Sequence, residues 1–368
     1  IYQTSDGRII CPNRVMAKLS RVEVAQRFFA PPPEKMVREL VRQGKLTRQE
    51  AKLAQHIPMA QDITAEADSG GHTDNRPALT LLPTIIALRD EAVRRYPFTD
   101  SLRVGLGGGV GTPEAAAAAF AMGAAYILTG SINQACVEAD TSNTVREMLS
   151  HTKQADVTMA PSADMFEMGV KVQVLKRGTM FAMRAAKLYD IYRSHDAYNQ
   201  VPEAVRQSIE RDLLRSSFDD AWQSTQRFFH ERDPSQIVRA ESNPKHKMAL
   251  VFRSYLGQSA LWAKRGDPER RMDYQIWCGP AMGAFNAWSQ GTFLEKVDQR
   301  RVAVVGLNLL YGAAGVLRCN WLRSQGVVLP PGADVFRPIP MEEMRQRLST
   351  SMVSRVPADV LGSARIAR

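Results

Sequence analysis

His72 sits in the run Glu66-Ala-Asp-Ser-Gly-Gly-His72-Thr-Asp74. An imidazole can exchange a proton near neutral pH, and neighbouring glycines leave room for a flat ring beside it. Asp68 or Asp74 could fix its tautomer. The run reads equally well as a histidine bonded to its own loop. His56, His151, His195, His230 and His246 stand in polar contexts and are poor candidates. Two more glycine clusters follow, Gly107-Gly108-Gly109 and Thr129-Gly130-Ser131. Glycine lets backbone approach a ligand closely, and a helix N-terminus after it presents free N–H groups to an anion. Phosphate is the natural guest of such turns; a tight turn with no ligand is the plain alternative. A dinucleotide fingerprint fails, because the sixth position from Gly105 is Val110 and from Gly107 is Thr112. There is no GxSxG elbow, HExxH, P-loop GK[ST] or zinc-type cysteine spacing, so no metal site is expected. Cys278, in Trp277-Cys-Gly-Pro280, has no base near it in sequence and reads as structural.

These residues need a scaffold, and the first 150 positions alternate strand with helix. Arg14–Leu19, Asp62–Glu66, Leu102–Leu106 and Ala124–Leu128 read as strands. Ser20-Arg-Val-Glu23 and Thr47-Arg-Gln-Glu50 have capping-box spacing, and Thr112-Pro113 opens an alanine-rich helix ending at Gly123. Helices are also expected over 34–43 and 79–95. Alternation of this kind predicts a parallel sheet covered by helices, with sites at the C-terminal strand ends. Every glycine cluster lies at such an end. Two consecutive strand–helix ends of this type match the phosphate grip of a (β/α)8 barrel. From about 150 the pattern turns mainly helical, over 203–214, 245–256 and 302–324. Phe218, Trp222, Thr225 and Phe229 recur at helical spacing and read as packing. The domain reading is therefore 1–150 for the barrel portion and 151–368 for the helical region.

The chain has 368 residues, 44% hydrophobic and 23% charged, which excludes disordered and collagen-like classes. Four dispersed cysteines form no disulfide framework, and a reducing, cytoplasmic setting is expected. The charge-free stretch 115–137 is broken by Thr129-Gly130-Ser131 and reads as helix, turn and strand, so no membrane span is expected. No basic-then-apolar leader is visible. The chain opens at Ile1, not at a methionine, and is expected to be a piece of something longer. Residues 1–150 carry 17 Lys+Arg against 16 Asp+Glu, so +9 of the net +10 falls on 151–368. The basic residues are scattered, which gives nucleic acid only weak support and leaves an anionic lipid face, a phosphorylated ligand, an acidic protein or plain solvation.

The order of Glu66–His72, the 107–109 glycines and Thr129-Gly130-Ser131 resembles that of FMN-dependent nitronate monooxygenases and their enoyl-reductase relatives. Three longer strings, 66–77 (EADSGGHTDNRP), 169–189 (GVKVQVLKRGTMFAMRAAKLY) and 273–286 (DYQIWCGPAMGAFN), are closer to one branch. They resemble the PfaD family, the trans-acting enoyl reductases of polyketide and polyunsaturated fatty acid synthases. The resemblance spans nearly the whole chain. It implies an FMN-bound TIM (β/α)8 barrel, N-terminally incomplete here, with an appended mainly helical region. It further implies NADPH as reductant, an enoyl thioester on an acyl carrier protein as substrate, and flavin contacts from Gly71, Gly108, Gly109, Gly130 and Ser131. His72 takes the place of the superfamily's active-site histidine. Two other functions stay open: nitronate oxidation by the same flavin and histidine, and a non-catalytic synthase interaction module. The oligomeric state is not legible.

Overall fold

The structure, a computed structural model, describes residues 1–98 and 101–353. Its strands are β1 (Tyr2–Gln3), β2 (Ile9–Ile10), β3 (Met16–Leu19), β4 (Asp62–Glu66), β5 (Gly71–His72), β6 (Arg103–Gly107), β7 (Ile127–Leu128), β8 (Val157–Pro161) and β9 (Lys171–Leu175). A parallel sheet runs β3-β4-β6-β7, an antiparallel one runs β5-β9-β8, and β1 and β2 form a small hairpin. The expected α/β architecture is thus present. Among the described residues the parallel sheet is open, with β3 and β7 at its edges.

Side chains alternate across a strand, so one face of β4 and β6 can be apolar while the other is polar. Ile63, Ala65, Val104 and Leu106 are buried against the helices Val22–Phe29, Ala78–Arg95 and Pro113–Ala121. Each large apolar side chain so buried contributes about 1.5–3 kcal/mol. The opposite face carries Asp62, Thr64 and Glu66. At its N-terminal end Asp62 accepts hydrogen bonds from Arg14 and Arg103, and in the middle the Thr64 hydroxyl meets the Tyr126 hydroxyl at 2.9 Å.

Helix Val302–Ser324 returns to this layer and packs on Pro113–Ala121. The approach is close because both surfaces are small: Ala116, Ala117 and Ala119 face inward, and a Cβ at Gly312 would lie 2.6 Å from the Pro113 ring. This helix is long and apolar enough to cross a membrane, but Val305, Leu309, Ala313 and Cys319 are buried in the fold.

The region after 150 is helical over most of its length yet contains β8 and β9. Their strand signal is the alternation in Lys-Val-Gln-Val-Leu, which places Val172 and Val174 in the second core with Phe166, Phe181 and Phe252. Phe218, Trp222 and Thr225 are buried there too, as packing predicts. One cap differs from expectation. Thr47 and Glu50 form their box, but helix Val22–Phe29 has no side-chain cap, because the Ser20 hydroxyl donates to Asp74 instead.

Candidate active site

Strands β4, β6 and β7 are parallel neighbours in register, Glu66 beside Gly107 and Gly107 beside Leu128. Their C-terminal turns therefore emerge at one edge and enclose a cleft. Gly70, Gly108, Gly109, Gly130 and Ser131 line it, with Lys18, Glu66 and Gln134. Gly108 has φ +92°, and a Cβ there would lie 2.6 Å from the Ala67 carbonyl oxygen, so only glycine lets this turn fold onto the end of β4. At Gly109 and Gly130 the reason differs. No protein atom lies within 4 Å of a Cβ at either position, and both face the cleft. Among the described residues their amides donate to no protein acceptor. Free backbone donors around open space suit a phosphate oxygen. The cradle therefore fits the phosphate end of FMN.

The segment 277–283 closes one side of the cleft through contacts that exclude side chains. A Cβ on Gly279 would lie 2.8 Å from the Gly70 amide, and one on Gly111 would lie 2.3 Å from the Ala281 carbonyl. The Gly279 amide also donates to the Ser131 hydroxyl at 2.9 Å. Ser131 thus fastens this segment while it lines the cleft. At the rim Lys18 pairs with Glu66 at 2.5 Å.

Gly71 and His72 lie beside this cleft and outside its lining, on the short strand β5 against β9. Gly71 has φ +80°, and a Cβ there would meet the Trp277 ring at 2.6 Å. Trp277 in turn stands edge-on to His72, with centroids 5.5 Å apart. The expected carboxylate partners are occupied elsewhere. Asp68 accepts from Asn75 and Gln173, and Asp74 accepts from Ser20 and Arg21. The carboxylate that faces His72 is Asp164, whose Oδ2 is 3.2 Å from Nε2. Partial burial alone would raise the Asp164 carboxyl, but the Ser162 hydroxyl and His72 outweigh it and hold it below its ordinary range. Cys278 is fully buried, and burial pushes its thiol up to about 12, which bears out the structural reading of that residue.

Known proteins resemble the chain over most of its length. One of the polyunsaturated fatty acid synthase subunits of Thraustochytrium is 46% identical over 331 residues, 88% of this chain and 22% of that protein. Polyketide biosynthesis protein PksE of Bacillus subtilis is 45% identical over 317 residues, 86% of this chain and 41% of that protein. The crystal structure of the enoyl reductase domain of MlnA, from the macrolactin cluster of Bacillus amyloliquefaciens, superposes with a TM-score of 0.83 at 41% identity. That match covers 89% of this chain and 72% of the MlnA domain chain. The chain belongs to the PfaD family of enoyl reductases. This PfaD-family chain spans less than half the length of either of these two curated relatives. Residues 195–274 also match the inserted helical domain of [acyl-carrier-protein] S-malonyltransferase.

Of the site residues expected in this PfaD-family chain, four (Gly108, Gly109, Gly130 and Ser131) meet in one cleft. Gly71 and His72 form an adjoining corner with Trp277 and Asp164. Reading the sequence for motifs missed Lys18, Gln134, Asp164, Gln173 and Trp277. Trp277 and Gly279 did carry a signal, the glycine-proline turn at 279–280. Asp164 carried none.

Proposed function

We propose that the chain is an FMN-dependent enoyl reductase that uses NADPH and acts in trans on enoyl thioesters held by an acyl carrier protein, in a cytoplasmic polyketide or polyunsaturated fatty acid synthase. The observation that carries this reading is the cleft of free amides at Gly109 and Gly130, set beside a histidine in a chain of enoyl reductase kinship. In this reading the four-stranded sheet is part of a (β/α)8 barrel, and the cleft is its phosphate grip. Gly108, Gly109, Gly130 and Ser131 would hold the flavin phosphate, while Gly71, the other expected flavin contact, leaves space for the Trp277 ring.

Bound FMN supplies hydride transfer from the nicotinamide to the β-carbon of a conjugated thioester. The chain's own residues do the rest. One N–H of His72 faces the thioester, where it either orients the carbonyl as negative charge develops there or protonates the developing enolate. A donor placed at such charge commonly lowers a barrier by about 3–4 kcal/mol. Cys278 takes no part, being buried and protonated at neutral pH.

His72→Ala should retain bound flavin and its yellow colour while enoyl-thioester turnover falls by roughly 10²–10⁴-fold. Stopped-flow reduction of a carrier-linked enoyl thioester measures this. Turnover at the wild-type rate would remove His72 from the reaction.

A further inference from the structure

Between β8 and β9 the chain makes a loop whose side chains reach two parts of the molecule at once. Toward the site, Asp164 places Oδ2 3.2 Å from His72 Nε2. It is the one carboxylate in ion-pair range of that ring among the described residues, since Asp68 and Asp74 are taken up elsewhere. Ser162, which has no solvent exposure, donates its hydroxyl to the Asp164 carboxylate and so aims it.

Away from the site, the loop is held by the long helix Pro244–Arg265. Arg253 Nε donates to the Ala163 carbonyl at 2.9 Å. Arg253 also approaches Glu167 at 3.6 Å, and His246, only 2% exposed, meets Glu167 at 2.9 Å. Both residues lie within the 195–274 segment that matches the helical-domain model. The helical region therefore grips Ala163, one residue before Asp164, and Glu167, three residues after it.

A carboxylate at one imidazole nitrogen fixes the tautomer and the ring orientation. With Nε2–H given to Asp164, the ring acts as an acid only as the imidazolium: its Nδ1–H faces the reacting group, and once that proton leaves, the Nε2–H stays on Asp164. The Trp277 edge limits ring rotation from another side. We propose that Asp164 is a positioning residue for His72, and that one task of the helical region is to brace the loop presenting it. The proposal rests on His72 having the role given above.

Two readouts test it, and one needs no cofactor. The first is carbethoxylation of His72 by diethyl pyrocarbonate, followed by peptide mapping, with His151 as internal control. Asp164→Asn and Arg253→Met should each speed modification of His72 several-fold and leave His151 unchanged. The second is steady-state reduction of an enoyl thioester. Asp164→Asn should lower kcat roughly 10–100-fold, the usual loss when a group that orients a functional histidine is removed, with KM nearly constant. Asp164→Glu should recover most of that loss, and in a His72→Ala background Asp164→Asn should add nothing further. Asp164 is largely exposed, so its variants should fold even if Arg253→Met does not. Unchanged carbethoxylation together with wild-type kcat in Asp164→Asn would overturn the proposal. So would a full, additive loss in the His72→Ala background. Normal turnover in His72→Ala, with faster carbethoxylation in Asp164→Asn, would instead overturn the catalytic reading of His72 and leave Asp164's hold on the ring standing.

Discussion

A glycine can be required because protein crowds it or because a ligand needs the room, and both cases occur within two residues here. Gly108 is crowded by the end of β4, whereas a side chain at Gly109 would meet no protein atom. Gly109 also has φ +73°, so any side chain there carries about 1–2 kcal/mol of backbone strain. Gly109→Val should therefore lower stability by that modest amount but abolish flavin binding, because its methyl groups would occupy the cleft. Denaturant midpoints and flavin fluorescence separate the two effects, and undiminished binding would show that the cleft is not the phosphate site. At this scale the sequence was informative for backbone placement: Gly108, Gly109, Gly130 and Ser131 were legible as lining one place, since the turns follow adjacent strands. Side-chain partners were not. Asp164 lies 92 residues beyond His72, and nothing in its local sequence ties it to the imidazole. Asp68 and Asp74, the near candidates, are drawn to Gln173 and Ser20 by contacts that only the fold creates.

The parallel sheet owes its alignment to more than apolar packing. Asp62 begins β4, and it receives Arg103 from the start of β6 and Arg14 from the approach to β3. Chiefly through the Arg103 hydrogen bonds, its carboxyl is held down to about 2. An unfolded aspartate titrates near ~3.9, so the folded value is depressed and the clamp contributes stability above that pH. The contribution should fade as pH falls from about 4 toward about 2. Urea midpoints across that range should drop more steeply for the wild type than for Asp62→Asn; parallel curves would mean the clamp is inert. Most strands and helices of the first 150 residues were readable because hydrophobic period and caps agree there, but β1, β2 and β5, two residues each, are too short to show a period. The exceptions have physical causes. β8 and β9 were masked by helical sequence on both sides, and the Ser20 cap was lost to a tertiary acceptor.

Across the whole molecule, +9 of the net +10 falls beyond residue 150 in the sequence. The helical region meets the site from outside, through Arg253 and the 277–283 segment, and Val302–Ser324 binds it back onto the sheet. A net positive charge in this part of the chain suits the acidic carrier protein of the proposed function. Turnover of carrier-linked substrate should then fall as salt rises, since exposed charges are screened within about 8 Å at physiological ionic strength. Turnover of a small, carrier-free thioester should not fall. Equal salt sensitivity would assign the charge to solvation alone.

The central claim is that the two turns after β6 and β7 grip a flavin by its phosphate, and a comparison of FMN with riboflavin tests it most directly. The two share a ring system and differ in that group. Two charge-assisted hydrogen bonds from backbone amides are worth together about 3 kcal/mol, or ~100-fold in affinity. Flavin fluorescence titrations should show FMN binding tighter than riboflavin by about that factor. Equal affinities, or no saturable binding of FMN, would contradict the account.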